Sequence, residues 1–135
     1  MHLATALTAV RLSLHVLAAT VWVGGQLTML GLLGELRAIG GDAPARVARA
    51  FARVSWPAYL VLLATGIWNV SASHVSTATG AWKAVLFVKV AVVVLAGVGA
   101  FLHQRATSRS ALALWGSVAG TASATALVLG VILAG

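Results

Sequence analysis

The segment that decides the fold is "LSLHVLAATVWVGGQLTMLGLLG", residues 12–34, which contains no Asp, Glu, Lys or Arg. A hydrocarbon core about 30 Å thick is crossed by a helix of roughly 20 residues, and this segment is long enough. Similar segments follow at residues 54–82, 84–102 and 110–135, and only Lys89 interrupts them with a charge. The chain therefore has four candidate membrane spans.

The overall composition supports an integral membrane protein. Hydrophobic residues make up 61% of the chain, charged residues make up 8%, and the mean hydropathy is +1.02. Lipid offers no hydrogen bonds to the backbone, so we expect helices that satisfy their own polar groups. We predict an all-α, integral membrane four-helix bundle with up-down-up-down topology, formed by residues 1–135 as a single domain. A signal peptide is the alternative for the first segment, but its apolar run is longer than a signal sequence needs.

The net charge of +7 indicates topology rather than a nucleic-acid partner. Most positive charges fall in the first and third connections: Arg37, Arg46, Arg49, Arg53, Arg105 and Arg109. The positive-inside rule places these connections in the cytoplasm and both termini on the outer side of a bacterial-type plasma membrane. The expected partner is the lipid bilayer. The absence of cysteine from the sequence excludes disulfides and thiolate metal sites.

Local sequence signals predict where helix one ends and where the aromatic side chains lie. Gly40 and Gly41 predict the end of helix one, and Asp42 is the expected N-cap of helix two. Pro57 predicts a kink in helix two. Most of the aromatic residues near predicted helix ends are expected at the membrane interface: Trp56, Tyr59, Trp68, Trp82 and Trp115.

Polar residues recur on one face of helix one and on one face of helix three. With helical spacing, the first stripe contains Arg11, His15, Trp22, Gln26 and Met29. The second stripe contains Trp82, Lys89, Ala96 and His103. If the two stripes faced each other, they would line a polar seam. At about 1.5 Å per residue, His15 and Lys89 lie at similar depths, whereas His103 is about 21 Å beyond Lys89.

Lys89 needs an explanation because a charged residue within the hydrocarbon region is unfavourable. The only acidic residues, Glu35 and Asp42, are expected on the opposite side of the membrane. An anionic ligand such as a porphyrin propionate would supply the missing charge, with Lys89 or Arg11 binding it. Alternatively, Lys89 snorkels, or lies deprotonated beside Asn69.

His15 has three possible partners. A neighbouring helix can accept or donate a hydrogen bond, heme iron can take the imidazole as an axial ligand, or a copper ion can bind it. His74, in the second connection, is the best candidate for a second axial ligand. The copper alternative uses Met1, His2, His15 and His74.

Three motifs carry a resemblance to a known family. These are "LHVLAATVWVGGQ" in helix one, "TGIWN" at the end of helix two and "WKAVLFVKVAVVVLAG" at the start of helix three. Together they resemble the CopD family of bacterial membrane proteins, named for copper resistance. More distantly, the chain is similar to the HemJ protoporphyrinogen oxidases, four-helix membrane proteins associated with heme b. That resemblance implies functional roles for His15 and Lys89, and it leaves enzymatic activity open.

The sequence therefore predicts a heme b site for redox chemistry or electron transfer in the outer half of the membrane. Its predicted residues are Arg11, His15, Trp22, Gln26, Asn69 and Lys89, with His15 and His74 as metal ligands. Copper uptake or binding is the alternative function. A third hypothesis is a non-catalytic subunit that forms a homodimer or joins a larger redox complex through Gly116, Gly120 and Ala124 of helix four.

Overall fold

The computed structural model describes residues 3–135, and it confirms the all-α, four-helix prediction. Each helix is long and apolar enough to cross a membrane. The part of the chain that the structure describes contains no β-strand. The helices are α1 (Ala6–Ile39), α2 (Ala43–Ser71), α3 (Gly80–Arg105) and α4 (Arg109–Ala134).

The two glycines of the turn between α1 and α2 adopt the predicted conformation. Asp42, which follows them, does not make the hydrogen bond that is typical of a capping side chain. Gly40 and Gly41 have φ values of +81° and +57°, a region that L-residues with side chains rarely adopt. Asp42 occupies the N-cap position of α2 without making a capping hydrogen bond. Its carboxylate instead lies 4.0 Å from the Arg49 guanidinium. The predicted N-cap position of Asp42 is therefore confirmed, although its carboxylate faces an arginine rather than the N–H groups of the first turn.

Hydroxyl side chains determine where the other helices begin. The side chain of Thr79 accepts a hydrogen bond from the Trp82 backbone N–H at the start of α3. Ser108 accepts one from the Ala111 N–H at the start of α4. Each bond satisfies a donor that the first turn leaves unpaired. The connection before α3 includes a short 3₁₀ turn, Val75–Thr77.

A π-helical turn, Thr20–Gly24, interrupts the α-helical geometry within α1. Such turns widen the helix and leave backbone carbonyls in need of partners. The Gln26 amide Nε2 donates to the Trp22 carbonyl at 3.0 Å, and the Thr28 hydroxyl donates to the Gly24 carbonyl at 2.9 Å. These side chains supply local partners to the widened segment, which contains the first three residues of the "WVGG" motif, Trp22 to Gly24.

Chain contacts divide the protein into two compact units, Met1–Ser73 and His74–Gly135. Within its described residues, the first unit is the helical hairpin of α1 and α2, here called hairpin A. The second contains the hairpin of α3 and α4, here called hairpin B. Whether residues 1–135 act as a single domain stays a prediction.

Hairpin A is packed around aromatic side chains. The indole of Trp22, only 4% exposed, lies 4.6 Å from the Tyr59 ring and 5.7 Å from the Trp56 ring, centroid to centroid. Phe51 occupies the space beside Gly25, where a Cβ atom would collide with its ring. Tyr59 is buried in this cluster, and its position relative to the membrane interface stays a prediction. Helix α2 continues through Pro57.

Hairpin B is packed through small residues. A Cβ atom on Gly99 would lie 3.0 Å from the Ala119 backbone nitrogen, so the helices approach closely there. Three small residues of α4 are buried: Ala119, Ala122 and Ser123. The predicted stripe is offset from this face, because Ala124 is exposed and no α3 atom lies within 4 Å of a Cβ built on Gly120. Association of α4 with a second copy or a larger complex stays a prediction.

Candidate functional site

A short polar contact between the helices of hairpin A joins His15 and Thr65. The His15 Nδ1 atom lies 2.7 Å from the Thr65 hydroxyl oxygen, and Thr65 is only 4% exposed. The same hydroxyl donates to the Val61 carbonyl at 2.6 Å. Because the hydroxyl proton is used there, Nδ1 is the donor to Thr65. In a neutral imidazole, this direction of the hydrogen bond places the proton on Nδ1 and the basic lone pair on Nε2.

Gly66 lies next to the imidazole ring and places no side chain against it. A Cβ atom at this position would lie 3.8 Å from His15 Cε1, which is ordinary van der Waals contact. A longer side chain would extend its further carbon atoms toward the ring. Thr65 and Gly66 are adjacent residues of α2. Thr65 orients the imidazole, and Gly66 places no side chain next to it.

Two buried polar atoms without partners lie next to this pair along hairpin A. Arg11 Nε and Asn69 Oδ1 are buried and have no hydrogen-bond partner within residues 3–135. The contacts that establish the antiparallel register are His15 with Thr65, Trp22 with Tyr59, and Gly25 with Phe51. Arg11 precedes His15 by one turn, and Asn69 follows Thr65 by one turn. Both therefore lie about 6 Å from the His15–Thr65 pair in the same direction.

Trp22 and Gln26, which the sequence predicts to bind a cofactor, have structural contacts in hairpin A. The Trp22 ring is covered by Trp56 and Tyr59. The Gln26 amide bonds within α1 to the carbonyl of the π-helical turn. Both residues support the segment that follows His15. Two residues of the helix-one stripe, His15 and Trp22, contact α2.

Lys89 lies against α4 in hairpin B. Its Nζ atom is 2.9 Å from the position that a Cβ atom of Gly130 would occupy. Gly130 belongs to the last turns of α4, where unpaired carbonyls give the helix a partial negative charge. The Trp82 indole nitrogen donates to the Leu133 carbonyl at 3.4 Å in the same region. Hairpin B thus places the ammonium beside the C-terminal end of a helix dipole, an arrangement that requires no carboxylate.

The other two described histidines differ in their surroundings. His103 Nδ1 lies 2.8 Å from the Leu112 carbonyl, and its ring covers Gly116. His103 therefore links the two helices of hairpin B. His74 is exposed just before the 3₁₀ turn, and its carbonyl accepts a hydrogen bond from the Thr77 hydroxyl. Met1 and His2, members of the copper alternative, lie outside the described residues.

The predicted site residues are divided between the hairpins. Hairpin A contains Arg11, His15, Trp22, Gln26 and Asn69, whereas Lys89 and His74 belong to the second unit. The predicted proximity of His15 to Lys89 stays a prediction. Among residues 3–135, no group of three or more His, Cys, Asp or Glu side chains is arranged to hold a metal ion.

Comparisons with known proteins leave the family untested. No protein-family model, curated protein or solved structure matches the chain. The CopD-like resemblance therefore rests on the sequence motifs alone.

Thr65 and Gly66 were missed as site residues by the sequence reasoning. Both lie in the motif "TGIWN", residues 65–69, whose last residue is Asn69. Thr65 is a polar residue in an apolar run, one turn before Asn69 on the same helix face. That spacing was the available signal.

Proposed function

We propose that the chain is a CopD-like, heme b-binding membrane protein in which His15 Nε2 is an axial ligand of the iron. The observation that supports this proposal is the hydrogen bond from His15 Nδ1 to Thr65. Histidine ligands of metals usually donate their second ring N–H to a protein acceptor, which fixes the tautomer and ring orientation. Thr65 is such an acceptor, and its own proton is held by the Val61 carbonyl.

The residues around His15 are of the chemical types that could hold heme b. The donor is a neutral imidazole with its basic nitrogen on Nε2, the form that heme iron takes as an axial ligand. Gly66 keeps side chains away from one edge of the ring. The buried Arg11 Nε atom lacks an acceptor within residues 3–135, and heme b carries carboxylates. Within the described part of hairpin A, His15 is the sole histidine, and its imidazole would hold the iron.

Each residue has a defined role in this proposal. Thr65 holds the proton on Nδ1 and fixes the plane of the imidazole, and Gly66 preserves space. The aromatic cluster of Trp22, Trp56 and Tyr59 excludes water from the adjoining part of the hairpin. Bound heme would supply one-electron redox chemistry, and we propose a role in electron transfer. We assign no enzymatic reaction.

The proposed setting is a bacterial-type plasma membrane with the α1–α2 and α3–α4 connections in the cytoplasm. The support is the concentration of arginines near those connections, according to the positive-inside rule. The His15 site then lies in the outer half of the membrane. Labelling of single cysteines introduced at Gly41 and Ser76 tests this topology, with Gly41 protected and Ser76 accessible from outside.

Copper binding through His15 and His74 is the alternative, and its support is weaker. The described residues provide no preformed cluster of three metal ligands, and the sequence contains no cysteine. Copper sites that relay the ion commonly use soft sulfur ligands. Elemental analysis of the purified protein separates the alternatives, because the heme proposal predicts iron and no stoichiometric copper.

The test of the heme proposal is the visible absorption of protein purified from heme-replete cells. We expect a Soret band in the wild-type protein and its loss in His15→Ala. His103→Ala is the matched control, since His103 is engaged with the Leu112 carbonyl in hairpin B. Wild-type protein without a Soret band, or a His15→Ala variant with an unchanged band, contradicts the proposal.

A further inference from the structure

The unpartnered polar atoms of Arg11 and Asn69 point to a bound group that the protein itself does not supply. Buried polar groups in native proteins are nearly always hydrogen-bonded, and each exception requires an explanation. Here a donor, Arg11 Nε, and an acceptor, Asn69 Oδ1, are both unsatisfied within residues 3–135. Register places them at the same level of hairpin A, and they do not bond to each other.

The protein has no anion to offer Arg11. Glu35 and Asp42 are the only acidic residues of the chain. Glu35 lies 24 residues further along the same helix, about 36 Å away, and Asp42 is paired with Arg49. The unpartnered Nε of Arg11 can therefore receive its acceptor from an external anion. Planar oxyanions match the guanidinium geometry best.

Asn69 can adapt to such an anion. Its side chain makes no hydrogen bond within the described residues, so a half-turn of the amide breaks none. After that rotation Nδ2 would present an N–H where Oδ1 now lies. Arg11 and Asn69 would then both donate to the oxygens of one carboxylate.

We propose that Arg11 and Asn69 bind a carboxylate of the ligand whose iron His15 holds. This inference rests on the proposed function. It adds that the carboxylates of the ligand lie at the end of hairpin A that contains Arg11 and Asn69. The same chemistry could come from the phosphate of a lipid headgroup, which Arg11 would bind whether or not a porphyrin is present.

Porphyrins with free and blocked carboxyl groups distinguish these sources. The experiment titrates the full-length protein, stripped of cofactor in detergent, with heme b and with its dimethyl ester, and follows the Soret band. Wild-type protein is expected to bind heme b about tenfold more tightly than the ester, as a lost charged hydrogen bond implies. Arg11→Leu and Asn69→Leu are expected to abolish this preference without losing the Soret band.

The control is Arg37→Leu, which removes an exposed arginine from the other end of the same helix and is expected to keep the preference. Equal affinity of wild-type protein for both porphyrins overturns the carboxylate site and leaves a lipid phosphate as the remaining anion for Arg11. That result leaves the His15 proposal standing, because both porphyrins still bind. Failure of both porphyrins to produce a Soret band overturns the proposed function together with this inference.

Asn69→Asp offers a second readout that needs no bound porphyrin. The new carboxylate would supply Arg11 with the anion that the ligand provides. We expect higher thermal stability of the cofactor-free protein and weaker binding of heme b. An Asn69→Asp variant that is less stable than wild type and binds heme b equally well contradicts the site.

Discussion

His15 Nδ1 and the Thr65 hydroxyl oxygen are 2.7 Å apart, and this contact links the two helices of hairpin A. Thr65 in turn donates to a backbone carbonyl of its own helix. The imidazole is therefore oriented by a chain of two hydrogen bonds that ends on the backbone. These two hydrogen bonds fix the direction in which Nε2 points.

Thr65→Val removes the acceptor of the His15 proton while keeping the shape of the side chain. We expect the affinity for heme b to fall by about 10- to 100-fold, as for other second hydrogen-bond partners of metal-bound histidines. Thr65→Ser retains the hydroxyl and is expected to keep most of the affinity. Titrations of the two variants followed at the Soret band measure the difference. Equal affinities for both variants would show that the hydrogen bond has no role in binding.

Gly66→Leu tests the space beside the imidazole. A Cβ atom at residue 66 already reaches van der Waals contact with His15 Cε1, and the remaining atoms of leucine would crowd the ring. We expect heme b occupancy to fall, whereas Gly66→Ala is expected to be tolerated. Gly34→Leu is the matched control in α1, because no atom lies within 4 Å of a Cβ built there among the described residues. The ratio of Soret absorbance to protein absorbance measures occupancy; unchanged occupancy in Gly66→Leu argues against an open space near His15.

Gly99→Ala tests the close approach of α3 and α4. The new methyl group would lie 3.0 Å from the Ala119 backbone nitrogen, and backbone atoms cannot move without shifting the helix. We expect a loss of stability of about 1–3 kcal/mol, typical of overpacked sites. Denaturant unfolding in detergent measures it, with Gly31→Ala as the control. Equal stability of the two variants would contradict the close helix contact.

Gly130→Ala makes a useful contrast at the other end of hairpin B. Its methyl group would lie 2.9 Å from the present position of Lys89 Nζ, but that atom ends a flexible side chain. The ammonium can move with little strain, so we expect a smaller loss of stability than in Gly99→Ala. The same unfolding measurement applies. A larger loss in Gly130→Ala would mean that Lys89 is held firmly at this position.

The sequence predicts the helices well because membrane length, apolar composition and glycine turns are local properties. Each charge-free segment corresponds to one long helix, although α2 (Ala43–Ser71) begins and ends well before the segment 54–82, and Gly40 and Gly41 adopt the expected positive φ values. The helical spacing of the helix-one stripe also predicts a face of α1 whose residues His15 and Trp22 contact another helix. These features require no knowledge of which helix lies next to which.

The partners of the stripe residues were not predictable from one helix at a time. His15 contacts Thr65, and Trp22 contacts Tyr59, because α1 packs antiparallel to α2 in a particular register. Asp42 was predicted from residue type to cap α2, yet its carboxylate lies near Arg49. The Gln26 amide bonds to the π-helical turn, a feature with no simple sequence signal. Tertiary contacts determine these outcomes.

Chemical rescue of His15→Gly tests the central claim most directly. The variant removes the imidazole and leaves space in which free imidazole can bind. If Nε2 of His15 ligates the iron, the variant reconstituted with heme b lacks the wild-type absorption spectrum, and added imidazole restores it. A His15→Gly variant whose spectrum already equals that of the wild type, or that imidazole fails to change, would contradict the account.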